Sequence, residues 1–214
     1  MKRKNGNNTW LYTICIALIA VVFGFLSFIP VNIEFIKPFT GYFNPTKLLS
    51  NLPLWIFTNC IIALYSHSEK TSMLNTTLFN IVCFISYCLF SMILTHAMPK
   101  DMFLTWMLFT LIWMIFSYLV WSANRQDTKG WILSTILLAI LFSTCFTYTE
   151  NTISSTTILN FLLYVFLVVI LYKGTKETLI IVILSIILAL ILSKIKIQIF
   201  FTKSACIYFN SVLL

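Results

Sequence analysis

The sequence predicts an all-α fold, a polytopic transmembrane helical bundle with seven spans and a cytoplasmic N-terminus. Two observations lead to this fold class. Of the 214 residues, 60% are hydrophobic and only 9% are charged, whereas a soluble domain carries roughly 25% charged residues. The charged residues also lie between long uncharged stretches, several of which approach the ~20 residues that a helix needs to cross a bilayer. These features exclude a soluble core, and five Gly and five Pro are too few for a collagen-like or disordered chain.

Charges and turn residues divide the chain into seven apolar runs, which we predict as spans 1 to 7. The runs are residues 10–30, 48–66, 72–95, 102–123, 131–148, 156–172 and 178–193. An alternative end for the last run is residue 201. The basic start resembles a signal peptide, but its apolar run exceeds the usual length of roughly 7 to 15 residues, so we expect an uncleaved first span. No internal repeat or linker is evident, so residues 1–214 are predicted to form a single integral membrane domain.

The distribution of basic residues predicts the orientation in the membrane. Placing the basic start in the cytoplasm leaves eight basic residues on the inner side of the first six spans and three on the outer side, as the positive-inside rule expects. The inner residues are Lys2, Arg3, Lys4, Lys70, Arg125, Lys129, Lys173 and Lys176, and the outer ones are Lys37, Lys47 and Lys100. A crossing seventh run would add Lys194, Lys196 and Lys203 outside, which keeps open a six-span alternative with the last run along the cytoplasmic interface. We favour crossing, because residues 178–193 are uniformly apolar and have no polar face.

Several classes of function are disfavoured by what the spans and loops lack. The net charge of +8 does not indicate nucleic-acid binding, because the basic residues are dispersed over short loops rather than gathered on one face. The six Cys residues show no Cys-x-x-Cys spacing, so neither a metal site nor a disulfide framework is predicted. No Asp, Glu, Lys or Arg falls inside the first six spans, which argues against proton-coupled pumps, voltage sensors and proteases with paired intramembrane carboxylates.

An enzyme is not predicted, and no catalytic residue, cofactor or metal is assigned. The chain has two His residues and lacks the Gly-x-Ser-x-Gly, His-Glu-x-x-His and Gly-rich phosphate-binding motifs. His67 and Glu69 fall in a short solvated connection, where a general base would need an orienting partner and a pocket. His96 and Asp101 flank Pro99, and a hydrogen-bonded helix end is favoured there over a membrane enzyme acting at the outer interface.

Span 3 carries a stripe of polar side chains, which is the leading candidate for a binding site. Its members follow one another at steps of three or four residues and therefore share one face of a helix: Thr76, Asn80, Cys83, Tyr87 and Ser91. Span 2 and span 6 would each add one amide to the same polar interior. Interhelical hydrogen bonding is the favoured use of these residues, each bond contributing about 0.6 to 2 kcal/mol, and the lining of a ligand cavity is the alternative. The predicted ligand-binding set is therefore Asn59, Thr76, Asn80, Tyr87, Ser91 and Asn160.

Span 1 carries a stripe of small residues that predicts the close approach of another helix. The stripe consists of Ala17, Ala20, Gly24 and Ser27, and its two central members form a small-x-x-x-small pair. An internal helix is favoured as the neighbour, and a partner membrane protein or a second copy of the chain is the alternative.

Two aromatic segments have anchoring or packing as their simplest use. Residues 31–47, the longest connection, combine Phe and Tyr with Pro and Gly, which predicts an interfacial anchor, with a lid over a binding cavity as the alternative. One broad side of span 4 is predicted to be a packing or lipid-facing ridge rather than a cofactor site, and it carries Trp106, Phe109, Trp113 and Phe116.

The basic start, the short loops and the Lys/Asn/Ile/Phe-rich composition resemble those of the small uncharacterised polytopic membrane proteins of low-GC Gram-positive bacteria. This compositional resemblance implies a bacterial plasma membrane and no particular activity. The chain is also similar in size to the substrate-capturing subunits of energy-coupling vitamin transporters. Their small-residue first helix and long first outer loop compare with Ala17, Ala20 and Gly24, and with residues 31–47. Those subunits have six spans with both termini inside, so a seventh span departs from their pattern.

The sequence thus predicts a multi-pass protein of the plasma membrane that binds or helps to transport a small neutral or lipophilic molecule. The alternative is a non-catalytic accessory or scaffold subunit, which would dock a membrane protein partner, or a second copy, through the small-residue face of span 1. A membrane enzyme that uses His96 and Asp101 ranks third. The expected surroundings are the lipid bilayer, and nucleic acid is not an expected partner.

Overall fold

The computed structural model describes residues 9–28, 52–96, 100–145 and 155–194. Within these ranges the chain forms seven α-helices and no β-strand, so the predicted all-helical fold is confirmed. The helices are α1 (Thr9–Phe28), α2 (Leu52–Tyr65), α3 (Glu69–Thr95), α4 (Lys100–Ala123), α5 (Thr128–Cys145), α6 (Ser155–Ile170) and α7 (Thr175–Lys194).

Five of these helices, α1, α3, α4, α5 and α7, are long and apolar enough to cross a membrane. Helix α2 has 14 residues, and the apolar part of α6, Ile158–Ile170, is also shorter than the other five. At a rise of 1.5 Å per residue, α2 reaches about 21 Å, which is less than the roughly 30 Å of a hydrocarbon core. The apolar helices are those of a membrane-embedded protein, and the described part of the chain contributes five full-length candidate spans.

Three helices begin a few residues before the predicted apolar runs. Helix α3 begins at Glu69 rather than Ser72, α5 at Thr128 rather than Trp131, and α7 at Thr175 rather than Thr178. Hydropathy finds only the apolar part of a helix, whereas polar and acidic residues favour the first turn, where they complement the free N–H groups. Parts of four predicted runs, at 29–30, 48–51, 146–148 and 195–201, and the whole connection 31–47 lie outside the described residues.

The described chain divides into two compact units. That residues 1–214 form a single membrane domain remains a prediction. In the described part, unit 1 contains residues 9–28, 65–96 and 100–118, and unit 2 contains residues 52–64, 119–145 and 155–194.

In unit 1, α1 and α3 run parallel and pack along their length. The Thr13 hydroxyl donates to the Asn75 side-chain oxygen at 3.1 Å near the start of both helices. Further along, the Cys83 thiol donates to the carbonyl of Ala20 at 3.2 Å. The numbers rise together along both helices, with an offset near 62 residues at each contact, so α1 and α3 point in the same direction.

Helix α4 packs antiparallel against α3 in the same unit. The Ser72 hydroxyl donates to the Ser117 carbonyl at 3.0 Å, and the Trp106 indole N–H donates to the Asn80 carbonyl at 2.9 Å. The numbers fall along α4 as they rise along α3. Helix α3 therefore lies between α1 and α4 and is the central helix of unit 1.

In unit 2, α5, α6 and α7 alternate in direction. The Cys145 thiol at the end of α5 donates to the Asn160 carbonyl near the start of α6, at 3.3 Å. The Tyr164 hydroxyl of α6 is hydrogen-bonded to the Ser185 hydroxyl of α7 at 3.1 Å. Helices α5 and α7 are thus parallel and pack against each other, with α6 antiparallel to both.

Candidate functional site

Helix α3, the helix that carries the polar stripe, has a well-defined start. Ser68 precedes it with an extended backbone, φ −143° and ψ 168°, and its hydroxyl accepts the backbone N–H of Thr71 at 3.2 Å. The Thr71 hydroxyl accepts the Ser68 N–H in return at 2.7 Å, which completes a capping box. This start fixes the register of α3 and therefore the face on which its side chains emerge.

The polar stripe of α3 is buried from one end of the helix to the other. Asn80 and Thr76 have no exposed surface, and the other three members are at most 9% exposed. The opposite side of the helix presents large apolar side chains such as Leu74 and Ile93, which are 67% and 66% exposed. This division suits a membrane helix, whose apolar side faces lipid while its polar side faces other helices.

The stripe forms hydrogen bonds both within α3 and to two neighbouring helices. The Thr76 hydroxyl donates to the carbonyl of Ser72 in its own helix at 2.8 Å. The Cys83 thiol reaches the α1 backbone at Ala20, and the carbonyl of Asn80 accepts the Trp106 indole of α4. The face of the stripe therefore lies between α1 and α4, and it serves helix packing at these positions.

The other two predicted site residues lie in unit 2. Asn59 is completely buried in α2, where its side-chain amide donates to the Trp55 carbonyl at 2.9 Å. Asn160 is 8% exposed in α6, and its backbone carbonyl accepts the Cys145 thiol. A meeting of these two residues with the stripe of α3 stays a prediction.

A buried hydrogen-bonded chain in unit 1 was not found by sequence reasoning. The Thr13 hydroxyl of α1 donates to the Asn75 oxygen, and the Asn75 amide nitrogen donates to the Ser66 hydroxyl at 3.1 Å. Asn75 and Ser66 are 5% and 1% exposed. In the sequence, only the position of Asn75, one residue before the stripe begins, could have indicated this chain of hydrogen bonds. Ser66 lies in a connection, and Thr13 is far from both in the sequence.

The small-residue stripe of α1 lies against α3. Ala20 and Gly24 are buried, and a Cβ added at Gly24 would lie 2.5 Å from the Cys83 carbonyl oxygen and 2.6 Å from the Ser86 Cβ. Ser27 is 7% exposed and donates its hydroxyl to the Phe23 carbonyl at 2.7 Å, and Ala17 is half-buried. The absence of a side chain at Gly24 is what lets the two backbones approach.

The aromatic residues of α4 form a continuous row with one ring of α3. Neighbouring ring centroids are 5.7 to 6.1 Å apart from Trp106 through Phe109 and Trp113 to Phe116, and Phe84 stacks on Trp106 at 5.8 Å. Such spacings are typical of favourable aromatic pairs. Trp113, which hydropathy left in mid-span, is 6% exposed and belongs to this packed row.

The charged residues at one end of unit 2 are tied to backbone groups. The Asp127 carboxylate accepts the Gly130 N–H at 2.8 Å and pairs with the Arg125 guanidinium at 3.1 Å, so these two interactions, the hydrogen bond first, lower its pKa. The Lys173 ammonium donates to the Arg125 carbonyl at 2.6 Å. Partial burial lowers the pKa of Lys173 to about 8, against a weaker raising effect of Asp127.

The two histidines lie at helix ends. His96 follows α3 in a left-handed conformation, φ 54°, and its N–H donates to the Met92 carbonyl at 3.1 Å. His67 is exposed in the connection before α3. Within the described ranges no group of three or more His, Cys, Asp or Glu side chains could hold a metal ion, and the side chain of Asp101 lies outside them.

No family model, no curated protein and no solved structure matches this chain.

Proposed function

We propose that the chain is a multi-pass protein of the bacterial plasma membrane with seven spans and a cytoplasmic N-terminus. Helix directions support this topology: α1 and α3 are parallel, α4 opposes α3, and α5 to α7 alternate. Alternation of this kind is what consecutive crossings require. The two shorter helices, α2 and α6, then cross with additional residues at their ends or with local thinning of the bilayer.

The contact between Lys173 and Arg125 adds independent support. Alternate crossings put the connection before α5 and the connection before α7 on one side of the membrane, and the Lys173 ammonium lies 2.6 Å from the Arg125 carbonyl. Both connections belong to the basic set that the positive-inside rule assigns to the cytoplasm.

For the molecular role, we propose non-enzymatic binding, or help in transport, of a small neutral or lipophilic molecule. The observation that carries this proposal is the buried polar stripe of α3, which combines amide, hydroxyl and thiol groups. Every Asp, Glu, Lys and Arg in the described helices lies near a helix end, so the middle of the helices carries no charge. A neutral ligand can exchange hydrogen bonds with such a face, whereas a charged one would enter without a counter-charge. Asn80 is fully buried near the middle of α3, so we choose it as the residue whose substitution tests the proposal.

Native mass spectrometry of the protein, purified gently from its own membrane, tests the proposal. We expect wild type to retain a defined small-molecule mass that Asn80→Leu loses. Asn75→Leu is the matched control, since it removes the same amide from the same helix at a position already bonded to Thr13 and Ser66. It should lower the melting temperature and keep the ligand. A wild type without a bound small molecule, or equal loss in both variants, would contradict the proposal.

The accessory or scaffold role has weaker support. Its argument from sequence was the small-residue face of α1, and Ala20 and Gly24 of that face are covered by α3. A stoichiometric partner chain without ligand in the same spectra would favour this role instead.

A further inference from the structure

Two connections meet at one end of unit 2, and both are basic. The Lys173 ammonium, in the connection before α7, donates to the Arg125 carbonyl in the connection before α5. Gly130 lies beneath this contact, because a Cβ added there would be 2.8 Å from the Lys173 nitrogen. The contact brings four basic residues to the same end, which we call the basic end of unit 2: Arg125, Lys129, Lys173 and Lys176.

Two carboxylates, those of Asp127 and Glu177, also lie at the basic end. Asp127 caps the start of α5 through the Gly130 N–H and pairs with Arg125. The Glu177 carboxylate lies beside Gly174, in the space that a Cβ at Gly174 would fill. The basic end therefore carries four cations and two carboxylates, of which Asp127 is already paired with Arg125. Lys129 and Lys176 are exposed, and neither forms an ion pair with another described residue.

The basic end is bordered by exposed apolar and aromatic side chains on α5, α7 and the connection before α7. Ile132, Tyr172 and Leu179 are 59%, 57% and 61% exposed, and Trp131 is half-buried beside them. Tyr and Trp favour the headgroup level of a bilayer, and Lys side chains there extend toward the phosphates. The arrangement matches a phospholipid, with cations at the level of its headgroup and apolar surface along its acyl chains.

We propose that the basic end of unit 2 binds the phosphate headgroup of an anionic phospholipid, with Lys129 and Lys176 as the principal cations. The acyl chains lie against the exposed apolar residues of α5 and α7. A free inorganic anion would gain only the attraction of the cations, because it has no apolar part and Asp127 already accepts the Gly130 N–H at the start of α5. A lipid gains apolar contact as well, and each Lys near an anionic surface strengthens binding by about fivefold.

Lipid titration of the whole protein in a mild, neutral detergent tests this inference. Short-chain phosphatidylglycerol, phosphatidylcholine of the same chain length and inorganic phosphate are added separately, while the melting temperature and the lipid adducts in native mass spectra are recorded. We expect phosphatidylglycerol alone to raise the melting temperature and to form a saturable adduct. Lys129→Gln and Lys176→Gln should each weaken its binding by about fivefold.

Lys70→Gln is the matched control, since it removes the same charge from an exposed lysine at the start of α3, in unit 1. We expect it to change phosphatidylglycerol binding by less than about twofold, because Lys70 is not one of the four cations of the basic end and salt screens exposed charges. Equal effects of phosphatidylcholine or inorganic phosphate, or an equal loss in Lys70→Gln, would overturn the proposal. Asn80→Leu should leave lipid binding intact, so a failure of the proposed ligand site and a failure of the lipid site are distinguishable.

Discussion

Substitution of Gly24 is the sharpest test of the packing between α1 and α3. In Gly24→Ala, the new Cβ lies 2.5 Å from the Cys83 carbonyl oxygen and 2.6 Å from the Ser86 Cβ, about 0.9 Å short of the 3.4 Å at which ordinary contact begins. The obstacle is backbone, so the helices must move apart. Overpacking of this kind costs about 1–3 kcal/mol, whereas Ala in place of Gly returns about 1 kcal/mol of helix propensity.

The net expectation for Gly24→Ala is a loss of about 1 kcal/mol, or about 2–4 °C in melting temperature for a chain of this size. Gly24→Val should melt lower still, because Val adds two further carbons and recovers less helix propensity. Thermal unfolding in mild detergent measures both. Val22→Ile is the matched control, since Val22 is 52% exposed on the lipid-facing side of α1 and its change should stay within about 0.5 kcal/mol. A Gly24→Ala protein that melts at or above wild type would refute the close approach of the two backbones.

Three further predictions concern hydrogen bonds and charges. Thr13→Val and Asn75→Leu should show a coupling of about 0.6 to 1.7 kcal/mol in a double-mutant cycle of unfolding free energies, and additive effects would contradict their hydrogen bond. Lys173 has a folded pKa of about 8 against 10.5 in an unfolded chain, so the unfolded state binds more protons between these values and stability rises with pH over that window. Lys173→Met should remove that rise in melting temperature, and an unchanged pH profile would contradict the burial of the ammonium. Asp127→Asn keeps an acceptor for the Gly130 N–H but loses the charge that pairs with Arg125, so it should melt slightly below wild type at pH 7 and should lack the fall that wild type shows below about pH 4, where Asp127 becomes protonated. Parallel pH profiles for the two proteins would count against the charged cap.

The helices themselves could be predicted because each rests on local information. Long uncharged runs mark the apolar part of α1, α3, α4, α5 and α7, and a helix is the fold that satisfies backbone groups in lipid. The first turns were missed, since Glu69 and Thr175 are polar and their contribution is to capping and to the helix dipole rather than to hydropathy.

The neighbour of each face could not be predicted, because contacts between helices depend on residues far apart in the chain. The spacing of Ala20 and Gly24 predicts close approach of some helix, but only the structure pairs them with Cys83. The stripe of α3 was likewise visible through its period, whereas the chain from Thr13 to Ser66 joins separate segments and has no period of its own. Lys173 and Arg125 were read only as markers of orientation, which hid their direct contact.

The topology is tested most directly by the sides of the membrane on which the two ends of the chain lie. Reporters that are active only in the cytoplasm or only outside it can be fused before Met1 and after Leu214 and assayed in intact cells. Seven crossings from a cytoplasmic start predict an N-terminal reporter active inside and a C-terminal reporter active outside. Activity of both reporters inside would contradict seven crossings and leave α7, or the segment that follows it, on the cytoplasmic face.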